Sequence, residues 1–158
     1  MSYREIIRVA AVVYGLVAVP SAFANQKSVR QADVPHSVIA AIEAKYPGAK
    51  LMRFAKEIER GQTLYEVILQ HGPSHAELSL LPDGRIVSEE TTITLADLPD
   101  GVRHALASSR FGKATVLRVE RTQVLAEANA TTFELLVQQS GKKHELLFDE
   151  AGKLTRIE

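Results

Sequence analysis

The stretch "HGPSH" (71–75) sets His71 and His75 on either side of a tight turn. A hairpin there could bring two imidazoles together as the beginning of a zinc site. Zinc usually needs further protein ligands, and none stands beside this pair in the sequence, so two solvated hairpin histidines are the simpler reading. His36 and His104 fall on helix surfaces. His144 opens a strand, where a hydrogen-bonded structural role suits it better than catalysis. Ser74, Ser108 and Ser109 lack the Gly-x-Ser-x-Gly turn that exposes a hydrolase nucleophile. No glycine pattern for cradling phosphate is present. The chain has no cysteine, which excludes thiol catalysis, cysteine–zinc sites, c-type haem attachment and a lipid-modified N-terminal cysteine. "NAT" (129–131) is a glycosylation sequon that matters only in a eukaryotic secretory pathway. The residues imply neither metal nor cofactor, and the chain reads as a non-enzyme.

A second set of residues recurs. Period-two alternation turns Arg53, Glu66 and Glu77 to one side of their strands, and Arg118, Glu134 and Glu145 hold the equivalent places later in the chain. Ile68, Leu136 and Leu147 face the same way, between the charges. One reading is a cross-strand charge ladder in water, each pair contributing about 0.2–1 kcal/mol. The other is a partner-binding face made of Arg53, Glu66, Glu77, Arg118, Glu134, Leu136, Glu145 and Leu147, with aliphatic contacts among charged ones.

The elements that must position these side chains are written twice. "DVPHSVIAAI" (33–42) aligns with "DLPDGVRHAL" (97–106), and Gly48 with Gly112. With one inserted residue "AKLMRFAK" (49–56) meets "ATVLRVER" (114–121). After a longer loop, "YEVIL" (65–69) meets "FELLV" (133–137), and "AELSLLPDGRI" (76–86) runs against "HELLFDEAGKL" (144–154). In each copy an Asp, whose carboxylate can cap free N–H groups, and a Pro open a helix, and the glycine stops it. Val34, Val38, Ala41 and Ile42 form one apolar stripe, and Leu98, Val102, Ala105 and Leu106 the other. Strands are expected near 50–58, 63–71, 75–81 and 85–92, then near 115–125, 131–139, 143–149 and 153–158, with 125–131 a longer, mobile hairpin loop. Met52, Phe54, Tyr65, Val67, Leu69, Leu78 and Leu80 should face the first helix. Leu117, Val119, Phe133, Leu135, Val137, Leu146 and Phe148 should face the second. One helix on one antiparallel sheet, twice, is an α+β architecture. A unit of this size is marginal alone, so the two sheets should join edge to edge or the two units pack closely.

The chain of 158 residues opens with Arg4 and Arg8, an apolar run over 9–19, Pro20 and the small-x-small "AFA" (22–24). That is the form of a signal peptide over 1–24, cut between Ala24 and Asn25. The run is too short to span a bilayer as a helix, and no later segment is apolar enough, so no membrane insertion is expected after cleavage. Removal takes away Arg4, Arg8 and Glu5, leaving 17 basic and 18 acidic side chains. Such a neutral chain has no broad pull on nucleic acid or anionic membrane. The expected organisation is a flexible segment over 25–32, a first repeat over 33–93 and a second over 94–158.

Asp-[Val/Leu]-Pro, the helix, "YPGAK" (46–50), "YEV" (65–67) and the closing "PDGR" or "EAGK" turn resemble the PepSY-like, β-lactamase-inhibitor-like (BLIP-like) family of exported bacterial proteins. Copy two departs from the pattern, with "RFGKA" for "YPGA" and Ala151 where copy one has Asp83. The resemblance implies a periplasmic or secreted, non-enzymatic binding or inhibitory module that holds a protein partner on its open sheet face. It carries over no individual contact residue. An envelope structural or stress-related protein without a dedicated ligand is the alternative, and a small α+β enzyme the third.

Overall fold

The computed structural model describes residues 27–158 except residue 60 and residues 126–129. The leader with its cleavage site, and most of the 125–131 loop, lie outside the described residues. Nine strands form one antiparallel sheet whose spatial order is the chain order: β1 Lys27–Ser28, β2 Lys50–Glu59, β3 Gln62–His71, β4 Ser74–Leu80, β5 Ile86–Thr92, β6 Thr115–Val124, β7 Ala130–Gln139, β8 Lys142–Asp149 and β9 Leu154–Ile157. Two helices, α1 His36–Lys45 and α2 Asp100–Ser108, precede β2 and β6. The class is α+β, with a single sheet. Lys27 and Ser28, within the segment expected to be flexible, pair with Lys56 and Ala55.

Both helices pack on one face of the sheet. Val34, Val38 and Ile42 meet Phe54, Tyr65, Val67, Leu69, Leu78 and Leu80 in one core. Leu98 and Val102 meet Val119, Phe133, Leu135, Val137, Leu146 and Phe148 in the other. The alternating residues of each strand supply these contacts because successive side chains point to opposite faces. Between the cores β5 pairs with β6, from Ser88↔Val124 to Thr92↔Glu120.

Two assignments of face need correction. Met52 and Leu117, expected to face the helices, are 47% and 44% exposed. The pairing register shifts between Leu51 and Arg53 and again between Val116 and Arg118. A bulge places an extra residue at each point and reverses the alternation locally, so Leu51 and Val116 pack on the cores instead. The bulges recur at repeat-equivalent positions, as do the shifts at Ser79/Leu80 and Leu147/Phe148.

The helix openings also differ from expectation. Neither Asp33 nor Asp97 caps a helix; Pro35 and Pro99 hold the cap positions without a side-chain hydrogen bond. Asp33 instead accepts from Arg30 Nε at 2.9 Å, and Asp97 accepts from the Thr94 backbone N–H and hydroxyl at 2.9 and 2.6 Å. Each carboxylate closes the short 3-10 turn before its helix, Gln31–Asp33 or Leu95–Asp97. Leu106 is only half-buried at the rim of its core, unlike its counterpart Ile42, which is fully buried.

The β4–β5 and β8–β9 turns lean on the helix starts. A Cβ at Gly84 would lie 2.5 Å from the Ser37 carbonyl oxygen, and one at Gly152 would lie 2.4 Å from the Gly101 carbonyl carbon. Both glycines also adopt φ near +90°, which glycine tolerates and other residues do not. The Ser37 hydroxyl donates to the Pro82 carbonyl at 2.6 Å across the first of these contacts. At the other end of α1, Lys45 Nζ lies 2.6 Å from the buried Glu89 carboxylate, which also accepts from the Tyr46 hydroxyl. Burial first, and Glu89 second, push the Tyr46 hydroxyl up to about 12.

Candidate partner-binding face

Neither helix packs on the other face of the sheet, and the candidate residues all stand there. Strand register sets them in rows. Arg53 pairs with Ile68, Ile68 with Glu77, and Glu77 with Glu90. Arg118 pairs with Leu136, Leu136 with Glu145, and Glu145 exchanges two backbone hydrogen bonds with Glu158. The order arginine, aliphatic, glutamate, glutamate is thus written twice, across four strands in the first copy and across three strands and the residue after β9 in the second. Glu134 lies between Glu120 and Leu147 in the adjoining row, and Glu66 between Ala55 and Ser79.

This face is not a solvated charge ladder. Glu66 and Ile68 are buried, at 7% and 5% exposure. Leu136, Leu147, Glu77, Glu134 and Glu145 are half-buried, and Arg53 is exposed. The Arg118 side chain, expected to be exposed, is only 16% so. Its Nε lies 2.9 Å from Glu120, and its Nη2 lies 3.9 Å from Glu134. In the middle the face sinks into a hollow of about 300 Å³. Met52 and Ile68 give it apolar wall, and Glu77, Glu90, Glu120 and Arg118 give it charge. The bulge that turned Met52 away from the core is what brings it here.

Crowded carboxylates in a partly dry hollow resist ionisation. Burial pushes Glu77 up to about 8, with Glu66 adding to the effect. Burial pushes Glu90 up to about 9, reinforced by Glu120 and then Glu77. Glu120 rises to about 7 by burial, with Arg118 opposing. Glu134 rises too, by burial and then by Glu145.

Sequence reasoning missed Glu90 and Glu120. Glu90 is repeat-equivalent to Glu158, so extending the alternation into β5 would have found it. Glu120 follows Arg118 by two residues and shares its face. The two hairpin histidines do not meet. His75 lines the hollow, whereas His71 packs on the helix side, edge-on to the Tyr46 ring at 5.6 Å. His144 stacks at 5.0 Å on Phe111. No group of three potential metal-ligating side chains occurs among the described residues.

The model of the family described as "Putative beta-lactamase-inhibitor-like, PepSY-like" matches the chain twice, over residues 23–88 and 85–156. No curated protein matches it. Among solved structures, the chain is similar to one described as "putative periplasmic proteins" from Bacteroides eggerthii, with 23% identity, TM-score 0.64, and coverage of 79% of this chain and 88% of that one. A DUF2874 family protein from Bacteroides uniformis follows, with 20% identity, TM-score 0.63 and the same coverage. A BLIP-like protein from Bacteroides fragilis is 24% identical with TM-score 0.60, over 79% of this chain and 85% of that one. At such identities these structures speak to the fold alone. The two family matches together span most of the sequence, and the chain therefore belongs to the PepSY-like, β-lactamase-inhibitor-like family, in tandem.

Proposed function

We propose that this chain is an exported, non-enzymatic binding or inhibitory module that holds a partner protein on its open sheet face. The observation that carries the reading is the twofold row of arginine, aliphatic, glutamate and glutamate, which stands on the face that neither helix of the described residues covers. In this reading the sheet is two family repeats joined edge to edge at β5 and β6, so both rows share one surface. Charged side chains alternating with half-buried aliphatic ones suit a protein interface, where a few anchors supply most of the energy. Export is supported by the leader pattern and by the description of the Bacteroides eggerthii relative as periplasmic. The family's inhibitor-like description supports binding rather than catalysis.

The test places a photo-crosslinking residue at Leu136, at Leu147, or at the exposed Ala40 on α1, in protein incubated with envelope extract. Discrete adducts from positions 136 and 147, and none from 40, are expected. Adducts from position 40 alone, or none from the sheet face, would overturn the reading.

A further inference from the structure

We infer that the hollow of the open face receives the cationic side chain, a lysine or an arginine, of the partner protein. This rests on the partner-face reading above and names the chemistry it selects.

Charge comes first. Glu66, Glu77, Glu90, Glu120, Glu134, Glu145 and Glu158 share this face with three guanidiniums, Arg53, Arg118 and Arg156, the last paired with Glu158. Arg118 is engaged by Glu120 and Glu134, and Arg53 stands exposed on β2. Glu77 and Glu90 face each other directly across β4 and β5, and neither makes an ion pair among the described residues. An anionic partner would meet repulsion here. A purely apolar one would leave Glu77 and Glu90 in their uncharged forms and draw nothing from them. A cation supplies what the face lacks.

Shape narrows the choice. The hollow of about 300 Å³ joins an apolar wall, Met52 and Ile68, to a carboxylate end, Glu77, Glu90 and Glu120. Lysine and arginine have that same division, an aliphatic stem with a charged head. A compact metal ion would use only the carboxylate end.

The inference has a protonic signature. In the free protein burial, with Glu66 acting on Glu77 and Glu120 on Glu90, holds both carboxyls largely protonated at pH 7. A bound cation favours the ionised forms, so binding must release protons and must tighten as pH rises. The groups that face this pair are Glu66 and Arg53 from β3 and β2, His75 from β4, Arg118 and Glu120 from β6, and Glu134 from β7. Of these, Glu120, which rises to about 7, adds to the release near neutrality.

The test titrates the full mature chain with Nα-acetyl-lysine amide, Nα-acetyl-arginine amide and the uncharged analogue Nα-acetyl-norleucine amide. Methyl resonances of Met52 and Ile68 are followed at pH 6 and pH 9. Both cations should shift these methyls, binding at least about tenfold more tightly at pH 9, and norleucine should bind at least about tenfold more weakly than lysine at pH 9. Glu77→Gln/Glu90→Gln should abolish the preference for the cation. Met52→Lys, which puts a tethered ammonium at the hollow, should block binding by a route that leaves both carboxylates in place. Equal binding of norleucine, or no shift with any probe at about ten times a millimolar dissociation constant, would overturn the inference. If crosslinks from positions 136 and 147 persist in Glu77→Gln/Glu90→Gln, the partner face stands and the cationic occupant is wrong.

Discussion

Glu77 and Glu90 stand directly opposite each other on neighbouring antiparallel strands, two carboxylates where a cross-strand salt bridge would be usual. Both are pushed far above the ordinary carboxylate value of 4.5, to about 8 and about 9. The folded chain therefore holds more protons than the unfolded chain between those limits. The contribution of this pair to stability is full below pH 4.5, declines as pH rises, and levels off only above about 9. Urea melts from pH 5 to pH 9 should show this decline. Glu77→Gln and Glu90→Gln should flatten it and stabilise the fold at pH 9 by about 1 kcal/mol or more.

Arg118 lies between Glu120 and Glu134 with little exposure. Arg118→Ala leaves a carboxylate cluster without its nearest cation, which should cost about 1–3 kcal/mol. The loss should be larger at pH 9, where Glu120 is ionised, than at pH 5, where protonation relieves it. Arg85→Ala removes a pair with exposed Asp83 and should change stability by less than about 1 kcal/mol. The same melts compare the two.

The two helices should tolerate truncation unequally. Ile42 is fully buried, and Ile42→Ala should cost about 2–5 kcal/mol. Leu106 occupies the equivalent place but sits half-buried, so Leu106→Ala should cost about half as much. Equal losses would mean that α2 packs more deeply than described.

Gly84→Ala meets both a positive φ and the Ser37 carbonyl, whereas Gly72→Ala meets the positive φ with open space around it. Gly84→Ala should destabilise by at least about 1 kcal/mol more, because the turn must move off the helix. Thermal melts of the two variants decide it.

The repeat and the strands were legible because period-two alternation and paired turn sequences survive in both copies. Phe54 and Val119, or Leu80 and Phe148, could be assigned to the core from spacing alone. Met52 and Leu117 could not. A bulge adds one residue without a local sequence mark, and every face assignment on its near side inverts. Asp33 and Asp97 misled for a related reason: an Asp before a Pro suits a helix cap, but it suits an earlier 3-10 turn equally well. The site was half legible. Arg53, Glu66, Glu77, Arg118, Glu134 and Glu145 were found as a pattern, but how far each is covered depends on its neighbours on adjoining strands, which only the pairing sets. The same long-range pairing brings Glu90 and Glu120 to the hollow.

In the proposed reading of two repeats joined edge to edge, the β5–β6 pairing couples the last strand of one copy to the first long strand of the next, since β6 is the counterpart of β2. Such a joint is head-to-tail and has no natural end: the last strand of any molecule could in principle accept the β2 of another, and a fibre would grow. The two residues of β1 occupy part of that outer edge of β2, and β9, four residues long with Arg156 within it and Glu158 just after it, offers a poor opposite end. In that reading Lys27 and Ser28 cover part of an edge that a further copy would otherwise extend.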